Sequence, residues 1–572
     1  MAELRIMKNV MAPMRDGVLL ACDIYRPDDS GKYPAILMRT PYIKERFAGE
    51  WLYSNYRELA LAGYNVVIQD VRGTGKSGGE LLSNGGNEVD DGYDTVEWVA
   101  AQSWCDGNVG MYGLSYFGFT QMAAAQDNPP HLRTLCPFQN GSLTPLSITK
   151  AMTVGHYHLM WLYGRVEDRL EALGVPEEEK APILQQMAYN RAHWAELTSR
   201  LPLRETEAAK IDGVPLLHDF VDLVDGVEDD AYWKQARRPI RLNNIANPMF
   251  HLTGWFDGAC SGTFDNYNEI AAHGTETAKR ASRLVVGPWG HGGSLSSTID
   301  GVDFGAENSG AARGVQEMIK SWFDRWLKHD MTAEYPPITL FVLGKNIWRD
   351  EQEWPLARTQ YTNYYIHGGQ ERKCGLMSTD LPGAETPQRY TYDPENPQPS
   401  SYKDANGRSA LADPAAMEHR EDVLVYRTEA FLTDTEVTGP VKFVLHAATT
   451  AVDTDFFAKL SDVDETGRAL PLLKGIVRAR FRHGRIPEPV EPGRVFEYTI
   501  DLGNISNVFL PGHRIRLDLS SSSYPEHDRN LNTGERIGHG KNMVKAVQTI
   551  FHDEQYPSHL VLPVISLSEK EG

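Results

Sequence analysis

Residues 108–121 read NVGMYGLSYFGFTQ: an apolar strand runs into Gly113-Leu114-Ser115 and directly on into the helix-forming stretch YFGFTQMAAAQ. A serine at so sharp a strand-to-helix turn is held with its hydroxyl exposed at the edge of a sheet, and small neighbours let the backbone bend there. The pattern is that of a nucleophile elbow. Its usual form is G-x-S-x-G, whereas here the second glycine falls one place late, at Gly118. A serine that merely starts a helix as its N-cap would explain Ser115, but not the glycines on either side.

A nucleophilic serine needs a general base oriented by an acid, and behind an elbow of this kind the chain order is Ser, then Asp or Glu, then His. In open α/β sheets the functional residues gather just beyond the carboxyl ends of strands. That filter selects two residues. The strand-like run Met249–Thr253 leads into GWFDG and places Asp257 past its end; Leu284–Val286 leads into GPWGHGG and places His291 likewise. Ser115, Asp257 and His291 are therefore expected at one sheet edge, in the required order.

The surroundings support such a sheet. Up to about residue 143, short apolar runs at Pro34–Met38, Asn65–Gln69 and Val109–Tyr112 alternate with longer helical stretches, which predicts a parallel sheet covered by helices on both faces. From 144 to 241 no strand is evident, and Ile183, Leu184, Met187 and Ala188 are spaced as one helical face, so an inserted helical lid is expected. The core resumes at 242–350 and is closed by a helix around Gly314–Lys328. Beyond it, Val423–Arg427, Val441–Leu445, Val495–Ile500, Ile515–Leu519 and Leu560–Val564 are β-branched or alternating and are separated by turn residues. They predict an all-β jelly-roll sandwich over 351–572.

Composition excludes several classes of function. The 572 residues are 41% hydrophobic and 23% charged, a globular profile, and 57 basic against 77 acidic residues give a net charge of −20. Such a charge repels nucleic acid and anionic lipid, so neither is expected as a partner. Five scattered cysteines without a C-x-x-C pair suggest neither a disulfide framework nor a zinc knuckle. With no signal peptide or apolar span evident, a cytoplasmic location is expected.

Long stretches of the chain resemble the cocaine esterase type of α/β-hydrolase, whose relatives include α-amino acid ester hydrolases and X-prolyl dipeptidyl aminopeptidases. The similar segments are MRDGVLLACDIYRP (14–27), RTPYIKE (39–45), QDVRGTGKSGGE (69–80), WCDGNVGMYGLSYFGFTQ (104–121), GWFDG (254–258), GPWGHG (287–292) and PGHRIRLDLSSSSYP (511–525). The resemblance implies a hydrolase core, a helical lid and a C-terminal jelly roll. It also implies an oxyanion hole made by the hydroxyl of Tyr42 and the backbone N–H of Tyr116.

Three other motifs are set aside. Gly75-Lys76-Ser77 looks like the end of a phosphate loop, but the earlier glycine it needs is Asp70, so a turn after a strand is expected. Asp462–Gly467 resembles the start of a calcium loop, yet its twelfth position is Leu473, and a hairpin turn is expected. His156 and His158 stand two apart on a helix and point to different faces. No metal or cofactor is expected.

The expectation is a serine hydrolase working through an acyl-enzyme on a small ester, with amidase, acylase or X-prolyl dipeptidyl peptidase chemistry as the alternative. A carbohydrate-binding protein with a decayed hydrolase core is the alternative from another class. Relatives that select a free α-amine carry acidic residues two and three places after the catalytic Asp, where this chain has Ala259 and Cys260. Trp161 and Phe256 are the expected walls for an apolar or aromatic acyl group. A homodimer or higher homo-oligomer is left open.

Overall fold

The computed structural model describes residues 4–566 apart from 28–30, 48–49, 52–53, 83–84, 142–151, 155, 230, 233–244, 293–295, 300, 370–373, 404–408 and 412–416. Ten strands form the first sheet: β1 (Leu4–Pro13), β2 (Leu19–Pro27), β3 (Tyr33–Thr40), β4 (Asn65–Asp70), β5 (Cys105–Leu114), β6 (Leu132–Phe138), β7 (Phe250–Phe256), β8 (Arg283–Gly290), β9 (Ile338–Val342) and β10 (Ile347–Glu351). Their order is β1-β2-β4-β3-β5-β6-β7-β8-β9-β10. From β4 to β9 the strands are parallel, while β1, β2 and β10 pair antiparallel at the two edges.

The central strands are buried along nearly their whole length, as a parallel sheet sandwiched between helices requires. Helices α1 (Glu88–Ala100), α2 (Tyr116–Ala125), α3 (His156–Ala172), α4 (Glu177–Ala192), α5 (His218–Gly226), α6 (Cys260–His273) and α7 (Val315–Leu327) follow in chain order. On α7 the inward side chains Val315, Ile319, Trp322, Phe323 and Leu327 recur at helical spacing and pack beneath β5 and β6. One expectation is corrected here. This helix does not close the α/β unit, because β9 and β10 follow it and extend the same sheet.

The described residues of the lid form helices joined by turns, with no strand among them, and its expected limits at 144 and 241 lie outside the described residues. On α4, Met187 is buried as expected but Ala188 is exposed. Asn190 points inward instead, donating to the Tyr163 hydroxyl at 2.7 Å. A polar residue on the apolar face is stable because it has a buried partner.

Residues 359–565 contribute an eleven-stranded sheet in which every pairing is antiparallel except that between Cys374–Ser378 and Leu424–Thr428. This is the jelly-roll domain. Asp464 Oδ1 accepts the N–H groups of Thr466 and Arg468 at 2.9 Å each, making the expected hairpin turn between strands 455–463 and 469–478.

Candidate active site

Ser115 sits between β5 and α2 with φ 60° and ψ −119°, a conformation that costs a non-glycine residue energy and that the surrounding bonds hold in place. Its N–H donates to Phe138 O at 2.8 Å, and its carbonyl accepts from Phe119 N–H at 3.0 Å. The late second glycine now has a cause. A Cβ on Gly118 would lie 2.5 Å from Asn140 Cβ, so position 118 is where α2 presses against the chain leaving β6. Position 117, glycine in the usual pattern, holds a buried phenylalanine that packs on Tyr42 with ring centroids 6.0 Å apart.

Asp257 follows β7 and His291 follows β8. His291 Nδ1 lies 2.9 Å from Asp257 Oδ1, and His291 Nε2 lies 3.0 Å from Ser115 Oγ. An ionised carboxylate only accepts, so Nδ1 carries the hydrogen and Nε2 is left to accept the serine proton. The Asp257 side chain is fully buried, and Ala259 N–H also donates to its Oδ1 at 2.8 Å. The hydrogen bond to Asp257 raises the His291 pKa above the ordinary imidazole value, against the opposing effect of burial. The structure thus brings all three sequence-predicted residues into one hydrogen-bonded line.

Tyr42 lies in the turn after β3, where its N–H donates to Thr40 Oγ1 at 2.9 Å. Asp70, at the end of β4, braces this turn: its carboxylate accepts Lys44 N–H at 2.8 Å and Lys76 N–H at 3.0 Å, and burial lifts its pKa to about 6. The Gly-Lys-Ser segment is therefore a structural turn that supports the Tyr42 loop. The Tyr42 hydroxyl accepts from Trp161 Nε1 at 3.3 Å, and the Arg165 guanidinium stands 4.1 Å from its ring centroid.

The N–H of Tyr116 is at the first position of α2, where helix N–H groups lack intrahelical acceptors. Its side chain turns away from the elbow. The hydroxyl donates to Glu88 Oε1 at 3.0 Å, and Glu88 pairs with the buried Arg39 at 2.8 Å. Its ring stacks on Trp161 at 5.8 Å and 17°, so the lid helix α3 lays an indole over the residue that follows Ser115.

Phe256 is placed differently. It stacks on Phe304 at 5.4 Å and borders a cavity of about 260 Å³ that also touches Asp257, Gly258, Phe457 and Leu473. Trp161 is not among the residues lining that space, so the two expected binding residues are not brought together. His156 packs edge-on against Tyr524, with burial lowering its pKa to about 4, while His158 faces Trp161 and Asp219. Among the described residues, no group of three or more His, Cys, Asp or Glu side chains is placed to hold a metal ion.

Sequence reasoning missed the segment Phe138-Gln139-Asn140. Besides Phe138 O on Ser115 and Asn140 against Gly118, Gln139 bonds the chain on both sides of His291. The strand-end rule that found Asp257 and His291 points equally to Gln139, the first residue after β6, but a glutamine has no titratable chemistry to draw attention to it.

An elbow serine in line with a histidine and a buried aspartate, on a parallel sheet of this order, defines a serine hydrolase of α/β-hydrolase fold. Residues 16–293 match the X-Pro dipeptidyl-peptidase (S15 family) profile, and residues 330–561 match the X-Pro dipeptidyl-peptidase C-terminal non-catalytic domain. Cocaine esterase of Rhodococcus sp. (strain MB1 Bresler) is 37% identical, with 98% of each chain covered. The chain belongs to the cocaine esterase family of these hydrolases.

Solved structures share the fold. An aminopeptidase from a marine sediment archaeon (Thaumarchaeota archaeon) has a TM-score of 0.79 at 24% identity, covering 99% of this chain and 97% of its own. An α-amino acid ester hydrolase has a TM-score of 0.75 at 24% identity, with 98% and 97% covered. Among the described residues, no helix is long and apolar enough to cross a membrane.

Proposed function

We propose that this enzyme hydrolyses small carboxylic esters bearing an apolar or aromatic acyl group, through an acyl-enzyme on Ser115. The observation that carries the reading is the unbroken line from Ser115 Oγ to His291 Nε2 at 3.0 Å and from His291 Nδ1 to Asp257 Oδ1 at 2.9 Å. His291 takes the serine proton as Oγ attacks the carbonyl carbon. Asp257 holds the tautomer and stabilises the imidazolium, which then protonates the leaving alcohol. Water, activated by the same histidine, releases the acid.

The Tyr42 hydroxyl and the Tyr116 N–H are proposed as the two donors to the oxyanion. Their value lies in being fixed before charge develops. The Tyr42 oxygen accepts from Trp161 Nε1 at 3.3 Å, and a phenol can accept one hydrogen bond while donating another.

The 37% identity to a cocaine esterase favours an ester over an amide. Selection of a free α-amine is disfavoured, because Ala259 and the buried Cys260 offer no carboxylate to an ammonium group. Trp161, stacked on Tyr116 beside the elbow, is proposed to line the acyl site from the lid, whereas Phe256 borders the separate cavity beside Asp257. We assign residues 1–143 and 242–350 to the catalytic core, 144–241 to the lid and 351–572 to its support. The cysteines, all unpaired and four of the five buried, favour a cytoplasmic location.

Parallel assays of p-nitrophenyl esters and matching anilides, with Ser115→Ala alongside, test the reading. Ester turnover that vanishes in Ser115→Ala is expected. Faster cleavage of the anilides would transfer the assignment to amidase or peptidase chemistry, and no turnover of either would favour a decayed core.

A further inference from the structure

His291 poses a positioning problem. Its side chain is 45% exposed, so packing alone does not fix the imidazole, and the loop that bears it turns through Gly292 at φ +70°. A small swing about that loop would break both bonds of the catalytic line.

We propose that Gln139 is the positioning residue for this histidine, its side-chain amide clamping the backbone on both sides of the imidazole. Gln139 Nε2 donates to Gly290 O at 2.8 Å, and Gly292 N–H donates to Gln139 Oε1 at 2.8 Å. An amide has a donor and an acceptor side by side, which meet the carbonyl of Gly290 and the N–H of Gly292, two residues on. A carboxylate would set oxygen against oxygen at Gly290, and an alkyl group would leave both backbone groups unpaired.

The clamp is itself held rigidly. Gln139 is fully buried with φ 42°, a left-handed conformation uncommon for this residue type. Its N–H donates to Leu252 O, on the strand that carries Asp257, at 2.7 Å. The carbonyl before it, Phe138 O, holds Ser115 N–H. Two consecutive residues at the end of β6 therefore fix the three catalytic segments relative to one another. Gln139 touches neither substrate nor a reacting atom; it acts through His291.

This inference rests on the triad assignment, and the two fail differently. If the triad is wrong, Ser115→Ala stays active; if the clamp is wrong, Gln139 variants stay active. Gln139→Met keeps the length of the side chain and removes both bonds. The acylation rate on a p-nitrophenyl ester, measured in single-turnover experiments, should fall about 10²-fold with substrate affinity within about threefold of wild type, since misplacement of a catalytic group acts on the transition state.

The midpoint of the kcat/KM pH profile should also move down toward the ordinary imidazole value as the contact with Asp257 loosens. Gln139→Asn keeps the amide but is too short to span both partners, and it should not restore the rate. It decides by the same readings if Gln139→Met does not fold. An acylation rate within threefold of wild type, or a slower enzyme with an unmoved pH midpoint, would overturn the proposal.

Discussion

The catalytic edge of the sheet and the seam between lid and jelly roll are both rich in charge, but they use it in opposite ways. At the catalytic edge a strained serine and a half-exposed histidine are aligned by single hydrogen bonds. At the seam, Arg478 is buried and saturated: it pairs with Asp455 at 2.9 Å and Asp528 at 3.2 Å, and donates to Met152 O at 2.9 Å. Asp528 in turn accepts Val154 N–H at 2.6 Å, and Arg480 reaches Glu228 across the same seam at 2.7 Å. The difference teaches where rate and stability reside. Groups poised for chemistry carry few bonds in the resting fold, whereas Arg478 and Arg480 are each paired with carboxylates and tie the lid to the jelly roll.

The comparison can be broken at either end. The largest effect is expected for Asp257→Asn, which keeps the shape but favours the wrong imidazole tautomer; kcat should fall by about 10⁴ with little change in melting temperature. Next, Arg478→Met strands two buried carboxylates and should cost about 3–5 kcal/mol of stability, measured by denaturant unfolding. A smaller loss at Arg478, or a large loss of stability at Asp257, would erase the distinction.

Tyr42→Phe keeps the ring against Phe117 and removes one donor, so transition-state stabilisation should fall by about 2.7–4 kcal/mol in single-turnover acylation, with substrate affinity unchanged. An acylation rate within about threefold of wild type would remove Tyr42 from the oxyanion hole. The smallest effect concerns pH. His291 must be neutral to act as base and its pKa is raised, so activity is lost as pH falls and the midpoint of kcat/KM should lie above about 6.5. A profile flat from roughly pH 5 to 8 would contradict its role.

Much of the site is legible in the sequence because parallel sheets deliver chemistry at strand ends. Once buried strands are recognised as apolar runs, the residues following them form a short roster, and Ser115, Asp257 and His291 stand out by type. Gln139 and the Arg39–Glu88 pair beneath Tyr116 do not, since their roles arise from contacts between distant segments. The edge strands are harder to read: β2 falls within a stretch (14–27) that resembles the family, and β1 within none. β1 is largely exposed and β2 almost wholly buried, so neither shows the clean alternation that marks a half-buried strand. The order of the jelly-roll strands is likewise a matter of long-range pairing that local pattern does not encode.

The central claim is that Ser115 becomes covalently acylated. Treating the protein with a fluorophosphonate and mapping the adduct by peptide mass spectrometry tests it directly. A single adduct on the peptide that contains Ser115, with matching loss of esterase activity and no labelling of Ser115→Ala, is the predicted result. An adduct on another residue, or full inactivation with Ser115 unmodified, would contradict it.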